Sequence, residues 1–132
     1  MRSQPHLTKP MHELAICQSV LRQVLAVAAE RNAWHVGRIT LQIGPLAGVE
    51  PSLVRQAFPL VAAGTACEHA ILEIEPLLVQ VRCQLCAATS EVPPNRLLCG
   101  DCATWRVDLI SGDELLLARV ELLDAAEAGV DV

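Results

Sequence analysis

The sequence predicts an α+β fold in which two helices lie against a three-stranded sheet, with an inserted four-cysteine module. Three observations support this prediction. Two stretches carry apolar residues at helical spacing, three others have the alternating or aliphatic composition of strands, and four cysteines form two C-x2-C pairs. The segment around the pairs has too few apolar residues for a core of its own, so it needs another source of stability.

Composition narrows the class of protein. The chain has 132 residues, 52% hydrophobic and 19% charged, which suits one domain with a small appendage and disfavours disorder. The formal net charge is -5 and Lys9 is the sole lysine, whereas nucleic-acid-binding proteins usually carry a basic surface. No apolar stretch reaches the ~20 residues of a membrane span, and residues 1–10 contain no apolar signal segment. These features predict a cytoplasmic protein that binds neither nucleic acid nor membranes.

The first predicted helix covers residues 13–30. Its apolar positions recur every three or four residues and would form one buried stripe. They are Leu14, Cys17, Leu21, Val24, Leu25 and Ala28. This assignment places His12 and Glu13 at the very start of the helix, and it makes Cys17 a core thiol rather than a nucleophile. Residues 1–10 contain two prolines and no periodicity, which predicts a flexible leader.

A strand and a second helix follow. Residues 36–43 alternate between aliphatic and polar side chains, as a half-buried strand does. Pro51 suits the first turn of a helix, because its missing N–H would have no partner there. Pro59 is expected to kink this helix or loosen one of its turns, and Gly64 is a suitable end for it.

The remainder of the chain is predicted to be extended around the cysteine pairs. Residues 71–74 and 115–123 have the composition of strands, and shorter extended segments lead into and out of the cysteines. Because entry and exit lie at neighbouring strands, the cysteine segment is interpreted as an insertion. The predicted organisation is a flexible leader or mis-assigned start over 1–10, an α+β domain over 11–76 plus 111–123, a metal module over 77–110 and an acidic tail over 124–132.

Four cysteines have the spacing of a structural zinc site, namely Cys83, Cys86, Cys99 and Cys102. Two C-x2-C turns brought together place four sulfurs around one ion, and Zn²⁺ binds such a set as a tetrahedron. A four-sulfur site leaves no position for water, so it predicts a structural ion whose removal melts the module. The alternatives are a pair of disulfides, which a reducing compartment disfavours, and iron in place of zinc.

The residues from Met11 onward resemble a known family. The segment M-H-E-L-A-I-C-Q-S-V-L, beginning at Met11, is similar to the opening of the HypA/HybF family of nickel chaperones in NiFe-hydrogenase maturation. The resemblance continues in R-I-T-L-Q-I-G from Arg38, in G-V-E-P from Gly48, in both cysteine pairs and in I-S-G-D-E-L from Ile110. It extends to about Leu122 and so covers nearly the whole chain.

The resemblance implies a function and a set of metal ligands. It implies a transient Ni(II) site centred on His12, in the α+β domain, and a separate structural Zn(II) site at the four cysteines. It also implies delivery of nickel to the large-subunit precursor of NiFe-hydrogenase, with a HypB-type GTPase as partner; some members of the family also serve urease. We therefore predict a metallochaperone rather than an enzyme, either monomeric or a weak homodimer.

The chemistry of the Met-His-Glu sequence supports a nickel site independently. A free amine at Met11, together with the amide nitrogen and imidazole of His12, would close two fused chelate rings around one ion. The amide of Glu13 would complete a planar set of four nitrogens, which suits Ni(II) or Cu(II), and its carboxylate offers a further ligand or an outer partner. Ten residues precede Met11, however. Either translation starts at Met11, which we favour, or the amine is not a ligand.

Two other functions remain open from the sequence. One is a zinc-ribbon regulatory or binding protein without a nickel function, which the acidic balance disfavours. The other is a rubredoxin-like redox protein with iron at the four cysteines. Cys67 and His69 lie two residues apart and are interpreted as incidental.

Overall fold

A computed structural model describes residues 5–123, with side chains from His12 onward. Residues 1–4 of the predicted leader and the predicted acidic tail, 124–132, lie outside the described residues. The elements, in chain order, are α1 (Pro5–Glu30), β1 (His35–Ile43), α2 (Pro51–Ala62), β2 (Ile71–Pro76), β3 (Gln80–Cys83), β4 (Thr89–Glu91), β5 (Val107–Ser111) and β6 (Leu115–Leu123).

The predicted α+β class is confirmed, and one sheet is added to it. The strand order β2-β1-β6 forms the predicted three-stranded sheet, while β4-β3-β5 forms a second one around the cysteine pairs. The chain folds as two compact units. Of the described residues, the first unit contains 5–41, 49–74 and 117–123, and the second contains Gln42–Gly48 and Glu75–Leu116. The second unit thus includes a loop, residues 42–48, that was predicted to belong to the α+β domain.

The core of the first unit contains the contact between α1 and α2 and includes buried side chains of the central strand β1. Its buried apolar side chains follow helical spacing on the two helices. The buried apolar residues of this unit are Cys17, Val20, Val24 and Ala28 of α1, Val54, Phe58 and Ala62 of α2, Val36, Ile39 and Leu41 of β1, and Cys67 after α2. Thr40, one of the polar residues of the predicted alternation over 36–43, is also fully buried. Helix α2 continues through Pro59.

Helix α1 is longer than the sequence predicted. It begins at Pro5, so residues 5–10 are helical and not the irregular leader that we expected, and His12 and Glu13 lie in its third turn instead of its first. Once the strongly periodic segment is helical, residues added at its N-terminal side need no new nucleation step. Pro10 lies inside this added segment and has no N–H, so the carbonyl of His6 gains no helical hydrogen bond. Pro5 suits the first helical position, because its missing N–H needs no partner there.

The second unit is built on short antiparallel strands. Strand β3 pairs with β4 through Val81 and Ser90, and with β5 through Arg82 and Asp108. The apolar side chains buried in this unit, among the described residues, are those of Ile43, Val79, Val81, Cys83 and Cys99. This small core agrees with the expectation that the segment depends on a bound ion.

Two glycines bring the loop after β1 against the turn before β6, within the second unit. A Cβ atom at Gly44 would overlap the carbonyl of Gly112, whose own φ is +118°. The close approach allows the N–H of Gly44 to donate to the carbonyl of Glu114 at 2.8 Å, and that of Leu46 to Gly112 at 2.8 Å. These contacts explain why residues 42–48 belong to this unit. Within residues 5–123, no helix combines the length and the apolar character needed to cross a membrane.

Candidate metal centres

The four predicted cysteine ligands come together in the second unit. All four Sγ atoms lie within 4.8 Å of one another. Cys83 and Cys102 are 3.6 Å apart at sulfur, and so are Cys86 and Cys99. Each short separation therefore joins one C-x2-C pair to the other. These separations are well beyond the ~2.05 Å of a disulfide bond.

The two C-x2-C turns have the same backbone hydrogen bonds. In the first turn, the N–H of Cys83 donates to Ala88 O at 2.9 Å and the N–H of Ala87 donates to Cys83 O at 3.1 Å. In the second, Cys99 donates to Thr104 O at 2.9 Å and Ala103 donates to Cys99 O at 3.0 Å. Each turn therefore closes on itself, and each presents its two sulfurs in the same way.

The first cysteine of each pair also accepts hydrogen bonds from backbone N–H groups. The N–H groups of Leu85 and Cys86 point at Cys83 Sγ, both at 3.3 Å. Those of Asp101 and Cys102 point at Cys99 Sγ, at 3.3 and 3.4 Å. Such donors favour the thiolate form, which is the form that binds a metal ion.

The pKa values reflect this arrangement. Hydrogen bonds from the N–H groups of Cys102 and Asp101 lower the pKa of the Cys99 thiol to about 6. The N–H of Cys86 similarly lowers the pKa of Cys83. Both of these sulfurs are buried, whereas Cys86 and Cys102 are exposed. The turns thus stabilise negative charge at the two inner sulfurs even without an ion.

An alanine in each turn has a left-handed backbone. The φ angles of Ala87 and Ala103 are +63° and +62°. Each alanine directly follows the second cysteine of its pair, at the point where the chain turns back. Because a Cβ atom disfavours this conformation by about 1–2 kcal/mol, both turns store local strain. Both turns have the sequence C-x2-C-A, so the two alanines occupy equivalent positions.

The cysteine cluster fits a tetrahedral zinc ion. With Zn–S bonds of ~2.3 Å, the sulfurs of a tetrahedron are separated by ~3.8 Å. The two pairs at 3.6 Å are close to this separation, and the remaining ones stay within 4.8 Å. Four sulfurs complete the coordination, so the geometry suits an ion that holds the turns together rather than one that binds a reactant.

The predicted nickel residues lie on α1, in the first unit. The side chain of His12 is exposed, while the neighbouring Glu13 is fully buried. Since both residues lie within the helix, their amide nitrogens occupy positions where N–H groups normally donate to carbonyls four residues earlier. The side chain of Met11 is outside the described part of the structure. The imidazole of His12 is therefore the accessible candidate metal ligand of this segment.

Glu13 contacts the beginning of α2. Its Oε2 accepts a hydrogen bond from the N–H of Glu50 at 2.7 Å. Glu50 is the N-cap of α2 and makes no side-chain cap of its own. In a capping box, a glutamate three residues into the same helix would accept this N–H, but that position in α2 is Leu53. Glu13 supplies the missing acceptor from another helix, where the helix dipole also favours its negative charge.

This contact was not predicted from the sequence. Glu13 was predicted to be a candidate ligand, whereas in the structure its Oε2 accepts the Glu50 N–H and its buried Oε1 has no hydrogen-bond partner among the described residues. The helical spacing of the residues could have indicated that Glu13 is buried. Glu13 lies four residues before Cys17, on the line that becomes the buried stripe of α1.

The other cysteines do not join a metal centre. Cys17 and Cys67 are buried in the first unit, and burial raises the pKa of each thiol to about 11. For Cys17, the charge of nearby Glu13 adds to this effect. Among the described residues, no second group of three or more histidine, cysteine or acidic side chains converges as the four cysteines do. The assignment of Cys17 to the core agrees with these observations.

Comparison with known proteins identifies similar chains over almost the full length. A family model described as hydrogenase/urease nickel incorporation, metallochaperone, HypA, matches residues 11–122. A hydrogenase maturation factor HypA from Nitrosospira multiformis is 42% identical over 113 residues, covering 86% of this chain and 98% of that protein. The HypA from Aquifex aeolicus is 39% identical over 114 residues, with 85% and 97% covered.

Two solved structures share the fold. The solution structure of a HypA protein has a TM-score of 0.67 at 25% identity and covers 86% of this chain and 97% of that one. The solution structure of the Ni metallochaperone HypA from Helicobacter pylori has a TM-score of 0.64 at 24% identity, with 85% and 97% covered. The matched region begins at Met11 in the family comparison, at the Met-His-Glu sequence.

Proposed function

This chain belongs to the HypA family of hydrogenase and urease nickel-incorporation metallochaperones, and from that premise we propose that it binds Ni(II) at His12 and delivers it to the NiFe-hydrogenase large-subunit precursor. In this proposal the four cysteines hold a permanent structural zinc ion. The protein is a cytoplasmic carrier rather than an enzyme, and a HypB-type GTPase is its partner in delivery.

The observation that carries the proposal is that two kinds of metal ligand, the cysteine sulfurs and the His12 imidazole, lie apart in the fold. The four sulfurs form a closed set with no room for a transferable ion, while the one exposed histidine of the Met-His-Glu sequence lies on a different element and in a different unit. An exposed imidazole can accept and release an ion by ligand exchange. We therefore assign capture and release of the nickel cargo to His12, and fold stability to the cysteines.

Whether the backbone amide nitrogens can bind nickel depends on where the helix begins. In α1 as it stands, the amide nitrogens of His12 and Glu13 lie inside a helix, so nickel binding through them requires local unwinding. In a chain that begins at Met11, the same amides fall within the first four residues of the helix, whose N–H groups have no helical partner. A free Met11 amine would then lie beside them. We propose that this shorter chain has the tighter nickel site.

Glu13 has a different role in this proposal. Its carboxylate binds the start of α2, which fixes the turn of α1 that carries His12. Its contribution to the ion itself is then the backbone amide, while the carboxylate acts as an outer partner that orients the site.

Nickel titration of the zinc-loaded protein tests the role of His12. We expect His12→Ala to weaken Ni(II) binding by more than about 100-fold, because even the loss of an outer partner commonly costs 10–100-fold. His69→Ala is the matched control, since His69 is also exposed and in the same unit. Binding that is unchanged by His12→Ala, measured by isothermal titration calorimetry, would exclude His12 as the nickel ligand.

A second titration compares chains that start at Met1 and at Met11. Tighter binding by the shorter chain supports amine and amide coordination, and equal binding rejects it while leaving the imidazole in place. Transfer is measured separately, as nickel incorporated into the large-subunit precursor from the loaded protein with and without the GTPase. If neither chain binds nickel, the zinc-ribbon binding protein becomes the better assignment.

A further inference from the structure

Strand β6 is an outer strand of the first sheet among the described residues. In the order β2-β1-β6, each outer strand has one neighbour among residues 5–123. The two edges differ in sequence. Strand β2 carries Glu73 and Glu75 and ends at Pro76, and charges and proline at an edge discourage pairing with another chain. Strand β6 has nine residues, all aliphatic except Arg119 and Glu121. It is therefore the edge better suited to accept a further strand.

The part of β6 in the first unit is accessible. Within Leu117–Leu123, the side chains of Ala118, Arg119 and Glu121 are exposed. Glu121 is held in place on the sheet, because the guanidinium Nε of Arg38 on β1 lies 3.6 Å from its Oε1. An outer strand also presents backbone N–H and C=O groups on its free side, which either bind water or pair with another strand.

We propose that β6 pairs with β6 of a second copy of this chain, in an antiparallel register centred on Val120. This register places Leu117 opposite the partner's Leu123 and Ala118 opposite the partner's Leu122. It also places Arg119 opposite the partner's Glu121, and the two-fold axis repeats that pairing on the other side. Opposite charges at facing positions stabilise antiparallel strands, so the sequence of β6 is complementary to itself.

Neighbouring registers lack this complementarity. Moving the centre by one residue places either Arg119 opposite the partner's Arg119, or Glu121 opposite the partner's Glu121. Like charges at facing positions destabilise a strand pair. A single arrangement is therefore favoured, and it joins two three-stranded sheets into one of six strands.

Charge reversal tests this interface with a built-in rescue. In Arg119→Glu, two attractive pairs become repulsive, and we expect dimerisation of the zinc-loaded, full-length protein to weaken about tenfold or more. The double variant Arg119→Glu/Glu121→Arg exchanges the charges and should restore dimerisation. The control Arg55→Glu reverses an exposed charge on α2 and should leave it unchanged. Sedimentation velocity over a range of concentrations measures all four proteins.

Three results would overturn the proposal. One is a wild-type protein that remains monomeric at about 1 mM. Another is a dimer that Arg119→Glu does not weaken, which would place the contact elsewhere on the molecule. The third is a double variant that is folded by circular dichroism but fails to dimerise, because the register requires the exchanged charges to pair.

Discussion

The cysteine cluster and the segment around His12 are both candidate metal centres. They differ in how far apart along the chain the residues joined by their hydrogen bonds lie. Each cysteine turn is closed by hydrogen bonds between residues at most five positions apart. The segment around His12 is fixed by Glu13, which contacts Glu50, 37 positions later. The geometry of each cysteine turn follows from local sequence, whereas the contact of Glu13 with Glu50 exists only once α1 and α2 have packed.

This difference teaches which kind of metal chemistry each region supports. A closed set of local turns presents all its ligands together, which suits an ion that stays bound. An exposed imidazole beside a buried anchor offers few preformed ligands, which suits an ion that is passed on. Substitutions that disturb the local turns and those that disturb the long-range contact should therefore affect different units.

Removal of zinc should have the largest effect. Structural zinc sites in small peptides have apparent binding free energies of about 10–16 kcal/mol at neutral pH, so Cys83→Ala should abolish zinc binding and unfold the second unit. We expect the amide NMR signals of β3 and β5 to lose dispersion, while those of α1 and α2 retain it. Cys67→Ala, outside the cluster, should keep one equivalent of zinc. Dispersed β3 signals in zinc-free protein would contradict the assignment.

Loss of the long-range anchor should have an intermediate effect. Glu13→Ala removes the acceptor of the Glu50 N–H and leaves a small cavity, so we expect the free energy of unfolding to fall by about 2 kcal/mol. Glu13→Gln keeps an acceptor and should lose less. Gln18→Ala, at an exposed site of the same helix, should change stability by less than about 0.5 kcal/mol. Equal urea midpoints for Glu13→Ala and the parent protein would show that this contact does not stabilise the fold.

Relief of backbone strain in the cysteine turns should have the smallest effect on stability, and it should be stabilising. Glycine adopts the left-handed conformation of Ala87 without a Cβ penalty but loses more chain entropy on folding. Ala87→Gly should therefore raise the stability of zinc-loaded protein by about 0.5–1 kcal/mol. Ala26→Gly, in the interior of α1, should lower stability by about 1 kcal/mol. A destabilising Ala87→Gly would indicate that the turn does not need a positive φ.

The parts that sequence predicted well depend on local patterns. The aliphatic alternation that ends at Ile43 and the paired cysteines were sufficient to predict β1, the three-stranded sheet and the four-sulfur cluster. Strand β4 was missed because its three residues, starting at Thr89, carry no hydrophobic pattern and depend on pairing with β3. The role of Glu13 was missed for the same reason, since its partner is distant in the chain.

The glycine contact in the second unit limits how this protein can be divided. The N–H of Leu77 donates to the carbonyl of Ile43 at 3.1 Å, and Gly44 and Leu46 donate to the segment before β6. A fragment cut at the ends of the cysteine segment would lose all three of these bonds. The zinc-binding segment is thus not an independent structural unit. To be grafted onto another scaffold, it must take with it a separate piece of chain, residues 42–48.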